Sequence, residues 1–375
     1  MGAMNDLALI DCEDVAWFRH DPTLPSAARG AAATLARRVG LDPHRASEVA
    51  LAVTEAATNL HRHTTDGALL LRVLRAGSEA GVEFLTVDTG PGMADVTASL
   101  LDGASTAGTL GIGLGAVARL ADRFDIHSLP GKGTVLSAQF WPRAPGSILT
   151  PASNPAQGTT VASGITRPIS GETICGDAWT VRVDPGPHQE VGYGQRGSGR
   201  EQRSSVSPGP ALLVMLCDGL GHGPLAALAS EAAVKAFKRS RAHRPEELLG
   251  DVHKALRGTR GGAVAIARVE PAARRLLYCG IGNVSGFLIG PDVRSGLLSA
   301  PGIVGHQMRS LRTFEVPLPE DSALVMHSDG LSERWSPQNM PGLLQHTPAV
   351  MAGQLLREAA VRRDDAGIVV IKGAW

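Results

Sequence analysis

The spacing of apolar residues divides the chain into segments of two kinds. Leu69–Leu74 and Val82–Asp88 are apolar runs of strand length separated by a turn at Gly77–Ser78, and Val135–Trp141 is a third. Further strands are predicted at Leu7–Ile10 and around Ala16–Arg19. Helical spacing marks Ser26–Val39, with Ser26 as its N-cap, and a second helix that Asp42 caps and Pro43 opens. In that second helix Val49, Val53, Ala56 and Leu60 fall on one stripe, whereas Glu55 and Asn59, four apart, share a different face. Gly111–Phe124 opens with alternating glycines and becomes helical. Later in the chain, Leu212–Cys217 is apolar throughout, as a strand buried on both faces requires. Ala323–Met326 and Gly367–Ile371 are predicted strands, and Leu225–Phe237, Glu246–Arg257 and Ala349–Ala360 predicted helices.

Between the two sets, Pro142–Pro168 is rich in Pro, Gly, Ser, Thr and Ala and has no amphipathic pattern, which predicts a tether. The expected organisation is a domain over 1–143, a linker over 144–167 and a domain over 168–375. Pro185–Pro210 is a polar, basic insertion read as a loop between strands, with partner docking as the alternative. A hydrophobic content of 43% supplies two cores, and an aromatic content of 4% makes them aliphatic. Lys plus Arg equals Asp plus Glu at 36 each, which argues against nucleic acid as a partner. Cys12, Cys175, Cys217 and Cys279 have neither zinc nor disulfide spacing. With no membrane-length apolar run and no basic, signal-like start, a cytoplasmic protein without a membrane partner is expected.

The candidate chemistry of the second half lies in its aspartates. Asp218 ends the Leu212–Cys217 run and is followed by Gly219, Gly221 and Gly223 with His222 among them. Asp177 follows a short apolar stretch, Asp329 follows Ala323–Met326, and Asp364 and Asp365 precede Gly367–Ile371. Strand ends are where a sheet can gather distant carboxylates. Two such charges about 4 Å apart repel by ~4 kcal/mol at an effective dielectric of 20, so convergence calls for cations. Paired Mg2+ or Mn2+ ions acidify a water and aim it at phosphorus.

The motifs CGDAW, CDGLGHG, GIGNV, HSDGLSE and RRDDAGIVVI follow one another as in SpoIIE-type serine/threonine phosphatases of the PPM superfamily, and the stretch from Arg167 to Trp375 resembles the short RsbX-like members. The resemblance implies a PPM-type αββα sandwich and a two-ion site. Asp177 and Asp218 would be its ligands, Gly219 would supply a carbonyl, and Asp329 and Asp364 would complete the second metal's shell, with Asp365 in support. Cys175 stands where many relatives have Gly. His222 is read as turn structure rather than a ligand.

In the first half, the helical Glu55 and Asn59, the DTGPGM stretch at Asp88, the glycines ahead of a helix and Gly133-Thr134 together resemble the GHKL ATP-binding fold, specifically its RsbT/RsbW-like kinase branch, over Ala8–Trp141. The implied fold is a GHKL (Bergerat) α/β sandwich, making the whole chain α+β. By motif position Asn59 would hold Mg2+ between the ATP phosphates and Glu55 would act on the attacking hydroxyl. Asp88 would accept from the adenine amino group, with Gly90 and Gly92 beside the base. Gly111, Gly113 and Gly115 would face the phosphates, where helix N-terminal N–H groups bind anions, and Thr134 would help seat the adenine.

The combined expectation is a bifunctional switch. One half would phosphorylate, and the other dephosphorylate, Ser or Thr on a STAS-domain protein of a stressosome-like pathway controlling a sigma factor or another output. Two alternatives stand beside it. The first half would be a nucleotide-gated binding or anti-sigma module without kinase activity, or the nucleotide would simply gate the phosphatase.

Overall fold

The computed structural model describes residues 9–100, 113–143, 161–186, 210–291, 293–308, 311–361 and 363–373. The first half contains β1 (Asp11–Arg19), α1 (Leu24–Arg38), α2 (Pro43–His63), β2 (Gly67–Ala76), β3 (Glu79–Asp88), α3 (Val96–Leu100), α4 (Gly113–Leu120), β4 (Arg123–Leu129) and β5 (Gly133–Phe140). The strands form an antiparallel sheet in the order β1-β2-β3-β5-β4. Leu69, Leu71 and Val73 of β2 and Val82 and Phe84 of β3 pack against α1, α2 and α4. The opposite face presents Leu70 and Leu85.

Several boundaries differ from the sequence reading. A single strand, β1, replaces the two short ones; Ile10 precedes it and packs on Leu74 and Trp141, and Leu7 lies outside the described residues. Helix α1 begins at Leu24 rather than Ser26. Asp21 accepts both the N–H and the hydroxyl of Thr23 there, and Ser26 donates its hydroxyl to the Thr23 carbonyl inside the first turn. The α2 cap is as expected, with Asp42 accepting from the N–H groups of His44 and Arg45. The helix expected to reach Phe124 stops at Leu120, because Arg123 and Phe124 pair with β5.

The second half contains β6 (Ala162–Arg167), β7 (Asp177–Asp184), β8 (Ala211–Gly219), α5 (Pro224–Arg239), α6 (Pro245–Leu256), β9 (Gly262–Glu270), β10 (Arg275–Ile281), β11 (Ser285–Ile289), β12 (Arg294–Leu297), β13 (Ser299–Ala300), β14 (Phe314–Pro317), β15 (Ala323–His327), α7 (Pro348–Ala359) and β16 (Ala366–Lys372). One sheet runs β13-β10-β9-β8-β7 with β14 beside β10, and the other runs β12-β11-β15-β16-β6. They pack face to face through residues such as Leu212, Val214, Leu216, Leu324, Met326, Val369 and Ile371. Helices α5 and α6 cover the outer face of the first sheet, and α7 covers that of the second, giving the expected αββα layers. Among the described residues no helix is long and apolar enough to cross a membrane.

The stretch read as a tether does not end where expected. Its last residues, 162–167, form β6, the edge strand paired with β16; residues 144–160 lie outside the described part. The first half's side chains satisfy the edge groups of β6. Arg72 donates to the Gly164 carbonyl at 2.6 Å and to Ser163 Oγ at 3.2 Å, Trp17 Nε1 donates to the Thr166 carbonyl at 2.8 Å, and Asp14 accepts from the Thr166 N–H at 2.7 Å. Arg72 is fully buried, and it also meets Glu83 at 3.0 Å and Asp14 at 2.8 Å. Beside this contact α7 lies between two sheets, β12-β11-β15-β16-β6 and the open face of the N-terminal one, in a single apolar cluster holding Leu70, Leu85, Met351, Ala352, Ile368 and Val370. The two halves are thus one packed body.

Breaking a buried ion pair from one side leaves the other charge unpaired, at about 3–5 kcal/mol. Arg72→Leu is expected to lower stability by about that amount, and calorimetry of the unaltered chain to show one cooperative transition. Two well-separated transitions, with only the first shifted by the substitution, would contradict the shared core.

Candidate active sites

In the second half the register of β7 and β8 sets Asp177 directly opposite Asp218. Strands β15 and β16 are neighbours in the facing sheet, with Asp329 just beyond the first and Asp364 and Asp365 just ahead of the second. Hydrogen bonds join the two sheets at this edge. Ser328 Oγ donates to Asp177 Oδ2 at 2.6 Å and accepts from the Gly367 N–H at 2.9 Å. Asp365, buried, accepts from the N–H groups of Gly176 and Ile169, both at 2.7 Å, and so holds the turn that delivers Asp177. Gly219 closes β8 and donates its N–H to the Gly176 carbonyl. Asn283, in the GIGNV stretch, donates its side-chain amide to Asp329.

The electrostatics follow from burial and crowding. Burial first, then Asp177, Asp329 and the Asp364–Asp365 pair, pushes Asp218 up to about 9. Asp177 is raised to about 7, again chiefly by burial, with the Ser328 hydroxyl opposing and Asp365, Asp329 and Asp364 adding to it. Asp329 is raised by burial and by Asp364. Among the described residues no group of three or more His, Cys, Asp or Glu side chains is already placed to hold a metal ion. What is assembled is a rim of carboxylate oxygens in which burial and neighbouring carboxylates, without a compensating positive charge, raise Asp177, Asp218 and Asp329. Oxygen-only donors and that charge deficit suit hard divalent cations, so Asp177, Asp218, Asp329 and Asp364 could hold them. His222 stands off the rim, exposed, with Nδ1 3.5 Å from Glu172 Oε1.

Three residues here went unread in the sequence. Ser328 and Asn283 sit inside motifs whose aspartate and glycines drew attention instead. Arg260 had no motif at all. Its Nη1 lies 2.9 Å from where a Cβ on Gly221 would stand, so the guanidinium rests against the Asp218–Gly223 turn. Its loop is fixed there: Leu220 donates its N–H to the Gly261 carbonyl at 3.0 Å, and His306 Nε2 lies 3.1 Å from the Arg260 carbonyl.

In the first half, Asp88 ends β3 and is buried, its Oδ1 accepting from the N–H groups of Gly90 at 2.8 Å and Thr134 at 3.2 Å. Burial raises its pKa, against those bonds and the charges of Arg357 and His63. Thr134 Oγ1 lies 2.9 Å from Ser128 Oγ, which accepts from the Met93 N–H. Gly133, at φ +91°, packs so closely on the Asp88 backbone that no Cβ fits. Gly92 turns at φ +65° against Leu129. The structure therefore gathers Asp88, Gly90, Gly92 and Thr134. Glu55 and Asn59 are half-buried on α2, whose C-terminal His63 carbonyl adjoins Gly90. Gly113 and Gly115 begin α4, packed beside α2, and Gly111 lies outside the described residues.

Residues 18–140 match the histidine kinase-like ATPase domain family, and residues 208–372 match stage II sporulation protein E (SpoIIE). The serine/threonine-protein kinase RsbT of Bacillus subtilis (strain 168) is 32% identical over 117 residues, 31% of this chain and 88% of that protein. The phosphoserine phosphatase RsbX of the same organism is 23% identical over 177 residues, 47% of this chain and 73% of that protein. A crystal structure of RsbX in complex with magnesium aligns over 56% of this chain and 92% of its own, at 20% identity and a TM-score of 0.42.

A carboxyl group whose folded pKa exceeds its ordinary 3.8 costs stability once ionised. The contribution of Asp177 and Asp218 to the stability of the metal-free protein should therefore be fullest below about pH 4 and fall as pH rises through their raised values. Cations would take over from those protons. The melting-temperature gain on adding Mg2+ or Mn2+ is expected to grow from about pH 6 to about pH 8.5. Asp218→Asn should keep the metal-free stability and lose the gain. A gain that is flat with pH, or intact in that variant, would remove this rim as the metal site.

Proposed function

We propose that this chain, which belongs to the RsbT-type histidine kinase-like ATPases through residues 18–140 and to the SpoIIE-type phosphatases through residues 208–372, is a bifunctional partner-switching regulator. Its second half is a metal-dependent protein serine/threonine phosphatase and its first half a protein serine kinase. The substrate is a STAS-domain protein of a stressosome-like, cytoplasmic pathway whose output is a sigma factor or another stress response. The observation that carries the reading is the Asp177–Asp218 pair on opposed strand positions, within an edge that also holds Asp329 and Asp364.

On this reading Asp177, Asp218, Asp329, Asp364 and the Gly219 carbonyl hold two Mg2+ or Mn2+ ions, which when bound supply Lewis acidity and an acidified water for hydrolysis of a phosphoester. Ser328 and Asp365 fix the Asp177 carboxylate and its turn, so ligand geometry is set before substrate arrives. Arg260, beside the Asp218 turn, meets the phosphoryl oxygens of the incoming residue. In the first half Asp88 and Thr134 hold adenine, Asn59 holds Mg2+ on the ATP phosphates, Gly113 and Gly115 face those phosphates, and Glu55 receives the proton of the attacking serine hydroxyl. One chain carrying both activities keeps each at high effective concentration near a shared partner.

The test is an intact-mass time course of a STAS-domain partner incubated with the Asp218→Asn protein, ATP and Mg2+. One added phosphate is expected to accumulate, and not when Glu55 is also changed to Ala. No added phosphate, with the partner held in a nucleotide-dependent complex, would replace the kinase by a binding module. For the phosphatase, Arg260→Ala is expected to raise KM for the phosphorylated partner about ten-fold or more, the worth of a charge-assisted hydrogen bond, with partial rescue by Arg260→Lys. An unchanged KM would free Arg260 of that role.

A further inference from the structure

Helix α7 is attached to the framework of both sites. At its N-terminus Asp125 of β4 accepts from the N–H and the hydroxyl of Thr347, both at 2.7 Å, so the α7 cap is itself held from the other half of the chain. In its middle, Gln354 is wholly buried and donates its amide to His127, at Nδ1 and, at 3.3 Å, at the backbone carbonyl. His127 Nε2 donates in turn to the Pro341 carbonyl at 2.9 Å, which fixes the tautomer, and burial keeps the ring neutral. The next residue, Ser128, is the one bonded to Thr134, and Thr134 to Asp88.

One turn further on stands Arg357. Both of its terminal nitrogens are buried and have no hydrogen-bond partner among the described residues. The acidic charges acting on it are the exposed Glu358 on its own helix and Asp88 from the candidate adenine pocket. A guanidinium carries five donors, so this one has unmet demand within electrostatic reach of the Asp88 carboxylate.

The last turn of α7 is then joined to the phosphatase edge. Ser332 donates its N–H to the Ala359 carbonyl at 2.8 Å, and Val361 donates to the Gly330 carbonyl at 2.7 Å. Gly330 directly follows Asp329 and packs on the Asp365 backbone so tightly that no Cβ fits. Asp364 and Asp365 come next as the chain leaves the helix. Between these ends α7 has no slack. A Cβ on Gly353 would come 2.7 Å from Val135 Cγ1 on one side, while Leu355, Leu356 and Ala352 share a cluster with Ile165, Ile368 and Val370 on the other. In an interior packed this closely, a shift of the helix relative to one sheet has to be taken up at the other.

We infer that α7 couples the two sites, so that a nucleotide at Asp88 changes turnover at the carboxylate edge and metal at that edge changes nucleotide affinity, with Arg357 and Gln354 as the positioning residues. This rests on the reading that the first half holds a nucleotide and the second a metal centre. Coupling of binding is reciprocal by thermodynamic necessity, which makes it measurable from either end.

The experiment uses the full chain in a fixed excess of free Mg2+, with p-nitrophenyl phosphate as a substrate too small to need a docked partner. Binding of a non-hydrolysable ATP analogue is read separately by calorimetry. The analogue is expected to change kcat/KM for p-nitrophenyl phosphate about five-fold or more, and Asp218→Asn to change analogue affinity measurably. Arg357→Met and Gln354→Leu should each keep basal hydrolysis and analogue binding while the effect of one on the other falls toward unity. Analogue that binds without altering hydrolysis of the small substrate would overturn the coupling alone. Absence of analogue binding would overturn both the coupling and the nucleotide reading. An effect that persists undiminished in both folded variants would overturn the route through α7.

Discussion

Burial of α7 on two sides is the constraint on which the rest of this molecule depends. A sheet covered by helices on one face must cover the other face or leave it wet. The N-terminal sheet has α1, α2 and α4 on one side, and for the other it uses a helix belonging to the second half. The αββα sandwich likewise needs an outer layer on its second sheet, and α7 is that layer. One helix thus serves two cores. The fully buried Arg72 adds polar specificity to the same contact, because its donors are divided between carboxylates of its own sheet and the edge of β6. Buried charges of this kind stabilise weakly but permit one docking geometry, since any other leaves them unpaired.

The carboxylate edge has the opposite character. Nothing in the packing asks for Asp177, Asp218, Asp329 and Asp364 to gather, and their mutual repulsion, together with burial, works against it. The sandwich holds them there because each strand end is fixed by the sheet behind it. The asymmetry is what the proposed cation site calls for: the fold tolerates a local electrostatic cost that a bound cation would offset. At Asp88 burial also outweighs the local hydrogen bonds, but those bonds offset part of its cost. Asp88 is buried but receives two backbone N–H groups, and the turn glycines let those donors approach.

Much of this was legible in the chain, and the exceptions have physical reasons. Strand-end aspartates followed by glycine are a local signal, so Asp177, Asp218, Asp329 and Asp364 could be found without knowing which strands pair. Arg72 and Glu83 could not. Each is a lone charge in an apolar run, and only the pairing of β2 with β3 sets one opposite the other. Ser328 and Asn283 act through contacts made across strands, which spacing does not reveal. The double role of α7 did leave a trace. Pro348–Ala359 carries Ala349, Val350, Met351, Ala352, Leu355 and Leu356, and a helix apolar most of the way round is one buried on all sides. Spacing alone gave a helix at the right place, Ala349–Ala360, without saying what it packs on. The tether was misjudged at its end for a related reason: Ala162–Arg167 is too short and too polar to announce an edge strand until β16 is there to pair with it.

The sharing of α7 also bears on how the chain is made. The N-terminal sheet is complete once β5 has been synthesised, but the helix that closes its open face follows roughly 200 residues later, which at ribosomal rates is roughly 10–40 s. Through that interval Leu70, Leu85 and the Arg72–Glu83 pair would face solvent or a temporary cover. The nascent first half is therefore a natural client for a chaperone, and detaching it from the second half would make that transient exposure permanent.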